Sequence, residues 1–165
     1  MNKLERLLTI CREQKINLDI VSISDSLLGL YVKLDGIPPT IAINKCIVDD
    51  KLKYIEVLAE ELGHHFTMVG DFSGVLTHYK DRLLLNKIEQ KALRWACDTL
   101  MPVEELLEAF RFSTSLYEAA SRLGVPHHML VSRLEFLGRE TKSISHNGVT
   151  VYLNGGSFYV HCESN

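Results

Sequence analysis

The chain has 165 residues, 46% of them hydrophobic and 24% charged, the balance of a soluble globular protein with room for one domain or for one domain and a small appendage. A formal net charge of -3 argues against broad electrostatic binding to nucleic acid or anionic membrane and leaves only local basic patches. The cysteines, Cys11, Cys46, Cys97 and Cys162, are far apart and form no C-x-x-C pair, so they suggest neither a zinc ribbon nor a disulfide framework, and reduced thiols in a cytoplasmic protein are expected.

Leu4, Leu7, Leu8 and Cys11 recur at helical spacing, so residues 2–14 are expected as an amphipathic helix. With acidic Glu5 this start is unlike a secretory signal, and no apolar run reaches the length of a membrane span. Ile20-Val-Ser-Ile23 and Ser26-Leu-Leu-Gly-Leu-Tyr-Val-Lys-Leu34 are rich in strand formers. Asp35-Gly-Ile-Pro-Pro39 turns the chain, and Thr40-Ile-Ala-Ile43 returns as a short strand, so two antiparallel strands joined near Gly36 are expected.

Residues 50–68 read as a long helix, followed by the breaker-rich loop Gly70-Asp-Phe-Ser-Gly74. A second long helix runs from about Asp81 to Leu100 and stops at Pro102; a third covers residues 103–112, with Glu104, Glu105 and Glu108 on its wet side. Ser115 caps a helix through Leu123, Gly124-Val-Pro126 makes a tight turn, and residues 127–138 form another helix, the outline of a helix-turn-helix unit. The tail changes character: residues 148–162 read as a hairpin turning at Asn154-Gly-Gly156. The fold class is α+β, mainly helical, with a small antiparallel sheet, a C-terminal helical hairpin and a terminal β-hairpin.

The chemistry concentrates in Glu60-Glu-Leu-Gly-His-His65. It has the outline of the zinc-hydrolase motif H-E-x-x-H, with Glu60 where the first His stands. Glu60 and His64 lie one turn apart on one helical face. Carboxylate and imidazole both bind zinc. Glu61, offset by about 100° around the helix, occupies the position of a general base. A third ligand must come from elsewhere. Glu89, in Ile88-Glu-Gln-Lys-Ala92, reaches the same point if the next helix packs antiparallel. His65, spaced four from Glu61, and His78 in the loop are competing ligands. His78 and Tyr79 are also candidates to stabilise a tetrahedral intermediate, although plain loop residues are the commoner case. Against all of this stands the reading of Glu-Glu and His-His as polar helix surface. Gly63 weighs the other way: glycine costs about 1 kcal/mol inside a helix, so something comes close there. Trp95 reads as core, and Cys46 and Cys97 as buried small hydrophobes.

Val57-Leu-Ala-Glu-Glu-Leu-Gly-His-His-Phe66, followed by Glu89, Ala92, Trp95-Ala96 and Leu100-Met-Pro102, resembles the ImmA/IrrE family of metallo-endopeptidases. The family pattern is L-A-H-E-L-G-H-H, then a Glu three residues before an Ala, an aromatic-Ala pair and L-M-P or L-I-P. Pro39-Thr-Ile-Ala-Ile-Asn44 resembles the family's strand before the motif helix, and the likeness covers about residues 25–140. The resemblance implies a zincin-like core over 1–112 and a helix-turn-helix-like unit with a hairpin over 113–165, packed on that core. It implies zinc held by Glu60, His64 and Glu89, with Glu61 as the base. Short members of this family, from prophages and mobile elements, cleave a cognate repressor. The second helix of the helix-turn-helix carries His127, His128, Arg133 and Glu135 and lacks a strong basic face, so direct nucleic-acid binding is not expected. The departure at Glu60 motivates an alternative from another class: a catalytically weak or inactive peptidase-like module that binds a regulatory protein without cutting it.

Overall fold

The computed structural model describes residues 2–24, 26–68, 79–154 and 157–163. The chain divides into two compact units, residues 1–96 and 97–165.

The first unit opens with α1 (Lys3–Glu13). Asn2 caps it: its side chain accepts the Glu5 N–H at 2.9 Å and Glu5 returns a bond to the Asn2 N–H at 3.1 Å, which satisfies two donors that a helix start leaves open. Strands β1 (Asn17–Val21), β2 (Gly29–Val32) and β3 (Thr40–Asn44) follow. β2 and β3 pair antiparallel, as the turn at Gly36 predicts. β1 pairs parallel to β3 on its other side, so this sheet is mixed, in the order β1-β3-β2, where a purely antiparallel one was expected. Hydrophobic alternation marks a strand but carries no sign of its direction, and only the pairing settles that.

Helix α2 (Lys51–Thr67) starts at Asp50, whose carboxylate accepts the Lys53 N–H at 3.0 Å. It packs on β2, β3 and α1. Ile41 and Ile43 of β3, Leu58 and Leu62 of α2 and Leu7 of α1 are fully buried and form this unit's core. Helix α3 (Tyr79–Leu100) begins where a loop was expected to continue. Trp95 is half-buried and stacks on Phe66, rings 4.7 Å apart. Cys97 is buried; Cys46 is exposed, because it sits in the single 3-10 turn that leaves β3.

The second unit holds α4 (Val103–Arg111), α5 (Leu116–Leu123) and α6 (His127–Glu140). Ser115 caps α5 by accepting the Glu118 N–H, and Gly124 closes it at φ +64°, a left-handed conformation that glycine adopts without strain. Arg133 is 7% exposed; its guanidinium donates to the Asp98 carboxylate and, at 3.2 Å, to the Met101 carbonyl. The tail is a three-stranded antiparallel sheet rather than a hairpin: β4 (Ser143–His146), β5 (Val149–Asn154) and β6 (Ser157–Cys162). β4 and β5 are joined by Asn147 and Gly148, both at positive φ, the Asn-Gly two-residue turn that hairpins favour. Val149, Val151 and Leu153 of β5 are buried and join Leu106, Leu107, Met129 and Leu130 in the second core.

Candidate functional site

Glu61 and His64 lie in the last two turns of α2, and Glu89 lies on α3. His64 Nε2 stands 3.4 Å from Glu89 Oε2. This brings together two of the three residues singled out as ligands. Two ligands of a tetrahedral zinc, each about 2.0–2.1 Å from it, stand about 3.4 Å from each other, so this separation suits shared ligands as well as a direct ion pair. The His64 ring is largely buried, and its Nδ1 is buried without a hydrogen-bond partner.

Helices α2 and α3 meet at glycine. A Cβ on Gly63 would lie 2.3 Å from the Ala92 carbonyl oxygen, far inside van der Waals contact. Only a bare Cα lets the two backbones approach this closely, and that approach carries Glu89 to His64. Gly63 touches Ala92 and Phe66 stacks on Trp95, and on the same helix Glu89 reaches His64.

Burial drives the electrostatics. The Glu61 carboxyl is pushed up to about 7, first by desolvation, with His64 opposing and Glu60 and Glu89 adding to the rise. Burial disfavours charge on His64. The hydrogen bond and charge of Glu89, then the charges of Glu61 and Glu60, outweigh it and hold the imidazole above its usual value. Three carboxylates therefore act on one imidazole, and the Glu61 carboxyl exchanges its proton near neutrality.

Glu60 acts on both neighbours through its charge. Among the described residues, no three His, Cys, Asp or Glu side chains stand together as a metal-holding group. The donors that do meet, one imidazole and one carboxylate, are of the types zinc takes. They fit the ion as a pair, with Glu60 the remaining donor of the expected set. Of the competing ligands, His65 is engaged elsewhere: its Nδ1 shares a hydrogen bond of 2.9 Å with the Tyr31 hydroxyl. Burial, then Lys33, lowers its pKa. His78 lies outside the described residues.

The sequence reading missed the contribution of β2. A Cβ on Gly29 would lie 2.5 Å from Val57 Cγ1 and 2.7 Å from Glu61 Oε1, so the strand opposes the Glu61 carboxyl with a residue that has no side chain. Asn44 anchors the segment before the strand: its buried amide donates to the carbonyls of Ile23, Ser24 and Leu27 at 3.3, 3.2 and 2.9 Å. Gly29 inside a strand-forming run was the available signal, since such a glycine often marks close approach of another group. No protein-family model, no curated protein and no solved structure matches this chain.

Proposed function

We propose that this chain is a metal-dependent endopeptidase of the ImmA/IrrE type, acting in the cytoplasm on a regulatory protein such as a cognate repressor. The observation that carries this reading is the meeting of His64 and Glu89 at 3.4 Å beside the buried carboxyl of Glu61, next to an edge strand, β2. An extended peptide pairs with an open strand edge through its main chain, and β2 offers such an edge within reach of Glu61.

Bound zinc supplies Lewis acidity and lowers the pKa of water; His64, Glu89 and Glu60 would hold it. The rest falls to the chain. A Glu61 carboxylate oxygen accepts a proton from the attacking water and returns it to the leaving amine. Its pKa near 7 suits both halves of that exchange. Gly63 and Ala92 keep α2 and α3 together, so that the imidazole and carboxylate stay aligned.

Glu60 supports a second reading, capture of a regulatory protein without cleavage. Two carboxylates would neutralise a divalent cation, and a less positive site acidifies water less.

Metal analysis separates the two. Under the peptidase reading, the purified protein takes up zinc, His64→Ala and Glu89→Gln abolish uptake, and Glu60→His tightens it. Glu61→Gln keeps the metal and loses cleavage of the repressor. A wild-type protein that stays metal-free after zinc addition supports the non-cleaving binder, and a Glu61→Gln protein that cleaves at the wild-type rate removes Glu61 as the base.

A further inference from the structure

The last strand has one bonded side and one open side. β6 stands at the edge of its sheet and pairs with β5 without a bulge, from Val149↔Cys162 to Asn154↔Ser157. One pair further on, the Glu163 N–H donates to the Gly148 carbonyl at 2.8 Å. On the other flank of β5, the Leu153 N–H donates to the Lys142 carbonyl at 2.8 Å, so Leu153 bonds toward β4. Bonded and non-bonded pairs alternate along an antiparallel ladder. Both bonds therefore give the same phase: Ser157, Tyr159 and His161 are bonded to β5. The backbone N–H and C=O groups of Phe158, Val160 and Cys162 point to the open edge.

Edge strands are ordinarily guarded by charge, proline, a bulge or shortness. β4, at the opposite edge, has four residues and packs on α4. β6 has six, Ser157-Phe-Tyr-Val-His-Cys162, with no lysine, arginine, acidic residue or proline among them. All but Val160 are exposed, Tyr159 at 64% and Phe158 at 37%. Phe158, Val160 and Cys162 lie opposite Leu153, Val151 and Val149, on the core side of the sheet. That side of β6 is apolar and part-covered: Phe158 lines a cavity of about 390 Å³ with Val131, Leu134 and Leu153.

We propose that the β6 edge is a self-association surface, on which the β6 of a second copy of this chain pairs antiparallel about a twofold axis at Val160. In that register Val160 faces its own copy, Phe158 faces the partner's Cys162 and Tyr159 faces the partner's His161. The outward-pointing residues fall opposite one another, so the two edges exchange about six hydrogen bonds. Side chains directly opposite share a face. The core-side row thus continues as Phe158, Val160 and Cys162 against the same three residues reversed. The outer row sets Tyr159 against imidazole. A foreign strand would need apolar residues at alternate positions to match this; a second copy supplies them by symmetry. No carboxylate meets a carboxylate along the strand, since Glu163 falls opposite the partner's Ser157. One strand pair covers less area than a permanent dimer needs, so the association is concentration-dependent, with Kd on the order of 10–100 μM.

Sedimentation of the full chain from about 5 to 500 μM should follow a monomer–dimer equilibrium in that range. Val160→Pro removes the central outward N–H, at an edge position where a strand accepts proline, and should raise Kd at least about tenfold while keeping the far-UV spectrum. Amide exchange in the wild type gives the register directly. The Phe158, Val160 and Cys162 amides should slow at least about fivefold at the higher concentration, and Tyr159 and His161, already bonded to β5, should change least. If Val160→Pro does not fold, the amides decide alone. A wild-type chain monomeric at about 500 μM overturns the proposal, as does a dimer that Val160→Pro leaves intact or a slowing shared equally by all five amides. A monomeric chain whose same three amides are protected by an acetylated, amidated hexapeptide of alternating Thr and Val has an edge for a foreign strand, and self-pairing is overturned there too.

Discussion

At the scale of single residues, the site is governed by how much water each carboxyl has lost. Glu61 has an ordinary value near 4.5 and stands near 7 in the fold. The folded state therefore binds its proton more tightly than the unfolded chain does, and stability from this group is full below pH 4.5 and lost as pH rises to 7. In metal-free protein the loss between pH 5 and 8 is expected at about 1–3 kcal/mol, the lower part allowing for the solvent that still reaches the carboxyl. Glu61→Gln has no charge to bury and should lack that fall. Urea unfolding of both proteins at the two pH values in chelator measures it; parallel curves would mean Glu61 ionises in the fold as it does in the open chain. His64, held above its usual value, loses stabilisation in the same direction at higher pH, with Glu89 as its partner in both proteins.

At the scale of elements, the decisive contact is between α2 and α3. Gly63 costs helix propensity, about 1 kcal/mol relative to alanine. In exchange, the Ala92 carbonyl comes to where a Cβ would be, 2.3 Å away. That neighbour is backbone and cannot swing aside. Gly63→Ala should therefore destabilise despite its better propensity, by about 2 kcal/mol, as overpacking does, which lowers Tm by about 4–8 °C in a chain of this size. It should also separate His64 from Glu89 and weaken zinc uptake. Calorimetry and metal titration of the one variant test both, and an unchanged Tm would refute the close approach.

At the scale of the whole molecule, charge decides which partners are open to it. The chain carries 21 acidic and 18 basic residues. The helix-turn-helix outline of α5 and α6 invites comparison with DNA readers, whose second helix enters the major groove. In α6, however, Arg133 is buried and bonded to Asp98 and Met101, and Arg139 lies over the Phe136 ring. A helix whose central arginine holds its own unit together has little to offer phosphates. Binding to random duplex DNA at physiological salt should be weaker than about 100 μM, below the usual non-specific range. A gel-shift titration checks this, and a shift at low micromolar protein would reverse it. Among the described residues no helix is long and apolar enough to cross a membrane.

The sequence by itself determined what local rules determine. Helical periodicity and caps gave α1, α2, α4, α5 and α6 to within a residue or two, because Asn2, Asp50, Ser115 and Gly124 are local signals with local consequences. The spacing of Glu60, Glu61 and His64 needs only 3.6 residues per turn. β4 was missed although Asn147-Gly148 is the strongest short hairpin signal, because the weak strand character of Ser143-Ile-Ser-His146 hid it. Tertiary structure alone decided the rest. The parallel pairing of β1 with β3 leaves no trace in either strand. The meeting of His64 with Glu89 depends on a helix crossing set by one glycine, and the rise of Glu61 to about 7 comes first from burial and then from charges on α2 and α3. Desolvation is a property of what surrounds a group, and the surroundings of Glu61 exist only once β2, α2 and α3 have come together.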